Sequence, residues 1–291
     1  MRPNLSIAAT AATLLLATSC SIKENRIQCQ APVTVSVNTF SISQEDIQIT
    51  KAAQNVTDIA AIKSITLAFF DESGTQIRKI DQLRDDATTY ETFGTFSLSL
   101  PWGTYKMVVI AHDGENPIIL NSLSEANFET EKPKDTFLYS QDLTVENSNP
   151  MNLSATLERI ITRLIVESTD VKSADVQNVR ITLSKGDTAF NPVTRFSYSD
   201  AGFVNTITPA TATGAVTKLR TTFFIAAEEE SLDVKAEVLD ASGNILNTIT
   251  VANVSFKRNR ATFLTGECYS ASESASFQAE TTFLSDLKLT F

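Results

Sequence analysis

The stretch "LERIITRLIVES", residues 157–168, decides the fold class. Leu157, Ile160, Ile161, Leu164 and Ile165 recur at helical spacing, which favours a helix, while Ile161, Ile165 and the density of β-branched side chains suit a strand. Periodicity alone favours the helix slightly. The sequence on either side repeats with period two, apolar side chains on one face and Ser, Thr or Lys on the other, the pattern of half-buried strands. In "VTVSV" it groups Val33, Val35 and Val37; in "FSLSL" it groups Phe96, Leu98 and Leu100; in "LDVKAEVL" it groups Leu232, Val234, Ala236 and Val238. An antiparallel β-sandwich is the natural inference.

Turn chemistry agrees. "FDESGTQI" (70–77) and "LDASGNIL" (239–246) each set Asp-x-Ser-Gly between apolar runs, where glycine is free to take a positive φ. A second echo pairs "IKSITLAFF" (62–70) with "VQNVRITLS" (176–184), and together the echoes suggest two similar sandwiches. Asn, Ser and Pro in "ENSNPMN" (146–152) break both helix and strand, which places a boundary there. The expected organisation is residues 31–149 and 150–270 as two β-sandwich domains and 271–291 as C-terminal strands.

The N-terminus has the parts of a signal peptide: Arg2, an apolar run from Ile7 to Ala17 too short to span a bilayer, then Thr18 and Ser19. Small residues directly before Cys20 resemble a bacterial lipobox, in which the thiol is lipidated and Cys20 becomes the first mature residue; plain secretion is the competing reading. Residues 1–19 are then removed, and polar residues 20–30 form a tether in which Lys23-Glu24 resembles the surface-export signal of Bacteroidales-type lipoproteins. The net charge of -10 makes nucleic acid a poor partner. Cys29 and Cys268 lack metal-ligand spacing and read as bystander thiols, with a disulfide between them as the minority reading.

The search for chemistry is mostly negative. Phosphate-loop, H-E-x-x-H, C-x-x-C and G-x-S-x-G patterns are all missing from the sequence, so the reading is not an enzyme, with no metal and no cofactor beyond the lipid on Cys20. His112, the one histidine, lies in "VVIAHDGEN" and is expected to be a solvated loop residue beside Asp113. Asp85-Asp86 and Glu228 to Glu230 read as solvated faces. The lone tryptophan, Trp102, sits in a Pro-Trp-Gly turn that either pins the start of a strand or presents an aromatic face to a sugar.

The order of lipobox, "SITLAFFDESG", "LPWGTYKMVVIAH", "LERIITRLIVEST" and "VSFKRNRATFLTGECY" resembles the fimbrillin superfamily of type V pili, in particular its lipoprotein anchor and adaptor branch. The matching positions are Leu100, Pro101, Gly103 and Tyr105 in a turn leading to a core strand; Arg159 and Arg163 in a strand opening the second domain; and Arg258, Asn259, Thr262, Leu264 and Gly266 in a closing strand. The resemblance implies two transthyretin-like seven-stranded sandwiches, which makes 157–168 a strand with Ile161 and Ile165 buried. It also implies an outer-membrane, cell-surface protein of a fimbrium, whose partners are other fimbrillin-type subunits joined by β-strand addition. Val33, Val35 and Val37 would line the strand-exchange groove, and Leu287, Leu289 and Phe291 would form a donor strand; the C-terminal strands pair within the second sandwich or fill a groove in a neighbour. Shaft subunits of such pili are cut after a basic residue beyond the first strand, whereas anchors stay whole. Between Arg26 and Arg78 there is no arginine, and Gln44 to Ala61 holds only Lys51, which favours an anchor or terminal adaptor over a polymerising shaft subunit. Asp187-Thr188-Ala189 matches a short O-glycosylation sequon of this bacterial group. A surface glycan-binding lipoprotein is the competing class.

Overall fold

The stretch 157–168 is extended, and it is broken: regular pairing stops at Ile160 and Ile161 and resumes in a different sheet. The computed structural model describes residues 30–42, 54–56, 61–89, 92–129, 132–210, 216–270 and 278–283. These residues are all-β apart from a short 3-10 turn at Arg84–Thr89.

Up to the break the strands are β1 (Gln30–Ile42), β2 (Gln54–Val56), β3 (Ser64–Asp71), β4 (Gln76–Leu83), β5 (Thr95–Pro101), β6 (Gly103–His112), β7 (Ile119–Leu120), β8 (Ala126–Asn127), β9 (Thr136–Val145) and β10 (Met151–Arg159). One layer runs β4-β3-β6-β9, antiparallel throughout. The facing layer runs β5-β1-β10, with β1 antiparallel to β5 and parallel to β10. The layers meet at one side, where Glu158 and Arg159 of β10 pair with Leu138 and Phe137 of β9. Alternate residues of β1, β3 and β6 point between the layers: Val33 and Val35 against Leu67, Phe69, Met107 and Val109.

After the break come β11 (Thr162–Ser168), β12 (Asn178–Leu183), β13 (Phe203–Ile207), β14 (Lys218–Phe223), β15 (Glu229–Leu239), β16 (Ile245–Lys257), β17 (Arg260–Gly266) and β18 (Gln278–Phe283). Here the layers are β13-β12-β15-β16 and β14-β11-β17-β18. The pairing scheme of the first half recurs: β12, β13, β15 and β16 take the places of β3, β4, β6 and β9, while β11, β14 and β17 take those of β1, β5 and β10. Even the parallel pair recurs, β11 with β17 as β1 with β10. Seven strands therefore repeat, with β18 added beside β17.

This repeat corrects two sequence expectations. The change of sheet falls at Ile160–Ile161 and not at 149/150, because β10 is the parallel partner of β1 and belongs to the first half. The Asn/Ser/Pro segment is an exposed turn joining β9 to β10. The two Asp-x-Ser-Gly hairpins occupy non-equivalent places, joining β3 to β4 in one half and β15 to β16 in the other. Their likeness is local turn chemistry: the Asp71 carboxylate accepts from the N–H groups of Ser73 and Thr75, each at 2.9 Å, and Asp240 accepts from those of Ser242 and Asn244, each at 2.8 Å. Gly74 and Gly243 have φ of 80° and 83°, and an added Cβ would meet no atom within 4 Å at either. Gly74→Ala and Gly243→Ala should therefore cost equally, about 1 kcal/mol each, from backbone strain alone. Urea denaturation of both variants checks this; a clearly unequal cost would mean that one hairpin is held by more than its turn.

A third apolar cluster joins the halves. The outer face of β3, β6 and β9 (Ala68, Phe70, Val108, Ile110, Leu138) packs with Ile160, Ile161 and Ile165 and with Phe190, Phe224 and Ala261. The isoleucines of the ambiguous stretch are thus buried, and their helix-like spacing has a physical cause: the chain turns from one sheet to the next within it. Both faces of the central layer are covered, which accounts for the nearly unbroken apolar run of β6.

Candidate functional site

In the first half the feature with functional geometry is β1 and the groove it fills. On one side Val33 and Val35 stand opposite Leu98 and Phe96 of β5; on the other they stand opposite Met151 and Leu153 of β10. Both valines are buried, and Val37 is half-buried against the same core. Beyond Val37 the register with β10 slips, and Phe40 to Ile42 pair with β2. The structure thus brings the three sequence-predicted valines together, and it places them on a strand with partners along both edges. Removing β1 would open a slot walled by β5 and β10, expose two rows of main-chain donors and acceptors, and uncover pockets at alternate positions, each valine losing roughly 1.5–3 kcal/mol of burial.

Cys20, Cys29, Lys51, Leu287, Leu289 and Phe291 lie outside the described residues, as do residues 1–19, expected as a signal peptide, and most of the expected tether at 20–30. The C-terminal segment is represented by β18, which pairs antiparallel with β17 from Arg260↔Phe283 to Thr265↔Gln278 and so extends a sheet of the second half. The path to it is pinned by Asp170, whose carboxylate accepts from the N–H groups of Cys268, Tyr269 and Ser270 at 2.7–2.8 Å and from the Ser270 hydroxyl at 2.8 Å. Burial pushes the Asp170 carboxyl up, and these hydrogen bonds outweigh it, holding the group below the usual range. Cys268 is a buried free thiol, pushed up to about 12 by burial and by Asp170, and so is protonated at neutral pH.

Between the halves lies a polar cluster that the sequence only half disclosed. Arg159 at the end of β10 and Arg163 in β11, on either side of the break, both face Asp135, at 3.0 Å and 3.9 Å. The Arg159 side chain is wholly buried and its guanidinium lies 5.0 Å from the Phe137 ring centroid. Burial drives the Asp135 carboxyl up and the Arg159 guanidinium down, and the attraction between them opposes both shifts. Asp135 was not among the residues singled out from the sequence.

His112 corrects an expectation. It is fully buried at the end of β6, its ring edge-on to Phe128 and its Nδ1 accepting the Gly114 N–H at 3.1 Å. Desolvation, reinforced by Lys134, lowers it to about 4, so it is neutral at pH 7 and shut off from solvent. Trp102 is 44% exposed beside the Asp71 hairpin, and the Tyr105 hydroxyl pins its turn by donating to the Pro101 carbonyl at 2.8 Å. Asp187, the first residue of the glycosylation match, accepts from the N–H groups of Thr188 and Ala189 and from both donors of Ser199.

The sequence model described as a family of unknown function (DUF6562) matches residues 28–288, nearly the whole of the strand-bearing chain. The chain belongs to that family. No curated protein matches it in sequence. Among solved structures it is similar to a candidate adhesin from Bacteroides ovatus, at 13% identity over 81% of this chain and 88% of that one, with a TM-score of 0.49. It is similar also to the fimbrial anchor protein Mfa2 from Porphyromonas gingivalis, at 10% identity over 87% and 97% of the two chains, with a TM-score of 0.47. The tip fimbrial protein Mfa3 from the same organism shares 11% identity over 87% and 99%, with a TM-score of 0.40.

Proposed function

We propose that this family member is a fimbrillin-type lipoprotein of a type V pilus, built on two transthyretin-like sandwiches, which anchors or caps the fibre. The observation that carries the reading is the position of β1: a thirteen-residue strand lodged between β5 and β10, contributing Val33 and Val35 to the first core. That is the geometry strand addition needs, because an extended segment of a neighbour can enter such a slot on main-chain hydrogen bonds and alternate side chains. The order of motifs along the sequence supports the same family, and the arginine-free interval from Arg26 to Arg78 supports a subunit that keeps its own β1. In this reading the role is mechanical, with Cys20 carrying the lipid that holds the protein to the outer membrane and Leu287, Leu289 and Phe291 available to a neighbouring subunit.

The membrane link is tested by Cys20→Ser. The variant should leave the membrane fraction and appear in soluble or unprocessed form, with the urea denaturation of the folded part unchanged. Unaltered membrane partitioning would remove the lipid anchor from the account.

A further inference from the structure

The second half carries a cleft where β13 faces β14. Where β4 faces β5, the side of the first sandwich is sealed: buried Gln82 donates from Nε2 to the Thr95 carbonyl at 2.8 Å and accepts the Gly94 N–H at 2.7 Å. The equivalent side of the second half, where β13 faces β14, holds a cavity of about 670 Å³. Its floor includes a side-chain bridge between the strands, Asn205 Nδ2 donating to Thr221 Oγ1 at 2.9 Å. One rim comes from the first half, where the Pro133 carbonyl accepts the Thr222 hydroxyl at 2.8 Å.

The lining is cationic. Lys132 and Lys134, Arg163 and Arg220 converge on it from three separate places in the sequence, and among the described residues no acidic side chain lines it, Asp135 lying behind Arg163 at 3.9 Å, although the chain as a whole carries a net charge of -10. Low-dielectric walls and charges of one sign focus an attractive field for anions. Guanidinium forks match carboxylates, and the amide and hydroxyls of Asn205, Thr206 and Thr221 can pair with sugar hydroxyls, which both donate and accept. Phe203 and the exposed Val204 give an apolar patch for a ring face. An extended peptide fits less well, because β13 and β14 belong to different sheets and the Asn205 to Thr221 bridge crosses the path a strand would follow between them.

We propose that this cleft binds an acidic saccharide through its carboxylate groups. The proposal does not depend on the fimbrial reading. The test is calorimetric titration of the full chain with trigalacturonate, neutral maltotriose and triglutamate. Trigalacturonate should bind saturably, more weakly as salt rises, and maltotriose should not bind. Lys132→Gln/Arg220→Gln, at exposed positions, should weaken trigalacturonate by at least about tenfold with unchanged unfolding. If that variant fails to fold, Lys132→Gln/Lys134→Gln should give the same loss. Absence of saturable trigalacturonate binding, equal binding by the folded variants, equal binding of maltotriose, or tighter binding of triglutamate would each overturn the proposal.

Discussion

Replacing Arg159 by methionine is expected to cost about 3–5 kcal/mol, because it keeps the buried stem and leaves the Asp135 carboxylate without its nearest cation. Asp135 is 5% exposed, so water cannot replace the lost partner, and Arg163 stands farther off at 3.9 Å. Replacing both members, Arg159→Met with Asp135→Leu, should recover most of the loss, since a buried pair exchanged for apolar groups of similar volume is often near neutral. Urea denaturation of the single and double variants measures this. A single-variant cost below about 1 kcal/mol would mean that the cluster is solvated and does not lock β9, β10 and β11 together.

Acidification is expected to remove stability on the order of 3 kcal/mol through His112 alone. Its folded value of about 4 lies below the ordinary 6.5, so between these pH values the unfolded chain binds a proton that the folded chain refuses. Stability therefore rises with pH through that window, its His112 share being complete above about 6.5 and lost as pH falls toward 4. The neighbouring charges are Lys134, which opposes protonation, and Asp113, next in sequence. His112→Asn keeps an acceptor for the Gly114 N–H and should flatten the dependence of unfolding free energy on pH from 6.5 to 4.5. An equal slope in both proteins would show that the buried imidazole is reached by water or protonated in place.

These two clusters mark where sequence reading stops. Alternation at Val33 to Val37, Phe96 to Leu100 and Leu232 to Val238 was enough for strands, because a period of two reports which face is covered. It could not say what covers it. The partner of β1 is β10, more than a hundred residues away, and nothing local to "MNLSATLER" reveals that it pairs backward and not forward. The boundary was misplaced for that reason: a turn marks where the chain bends, whereas a sheet change is a property of pairing. His112 was misread because polar neighbours suggest solvent, while Phe128, the ring that covers it, belongs to the third cluster, which forms only when both halves are packed together; Asp135 was not singled out at all. The repeat itself was visible in one echo, β3 with β12, and obscured by the other, since Asp-x-Ser-Gly recurs wherever a tight hairpin is needed.

The central claim is that β1 stays with its own chain. With Val33 and Val35 buried and both strand edges paired, loss of β1 is tolerable only if another strand replaces it. The direct measurement is mass-spectrometric mapping of the N-terminus of the protein recovered from cell-surface fimbrial fractions. The account predicts that the chain begins at lipidated Cys20, retains the peptide containing Val33 to Val37, and is scarce relative to a shaft partner. A dominant new terminus just after Lys51, or anywhere between Gln44 and Ala61, would contradict it and make this a polymerising subunit.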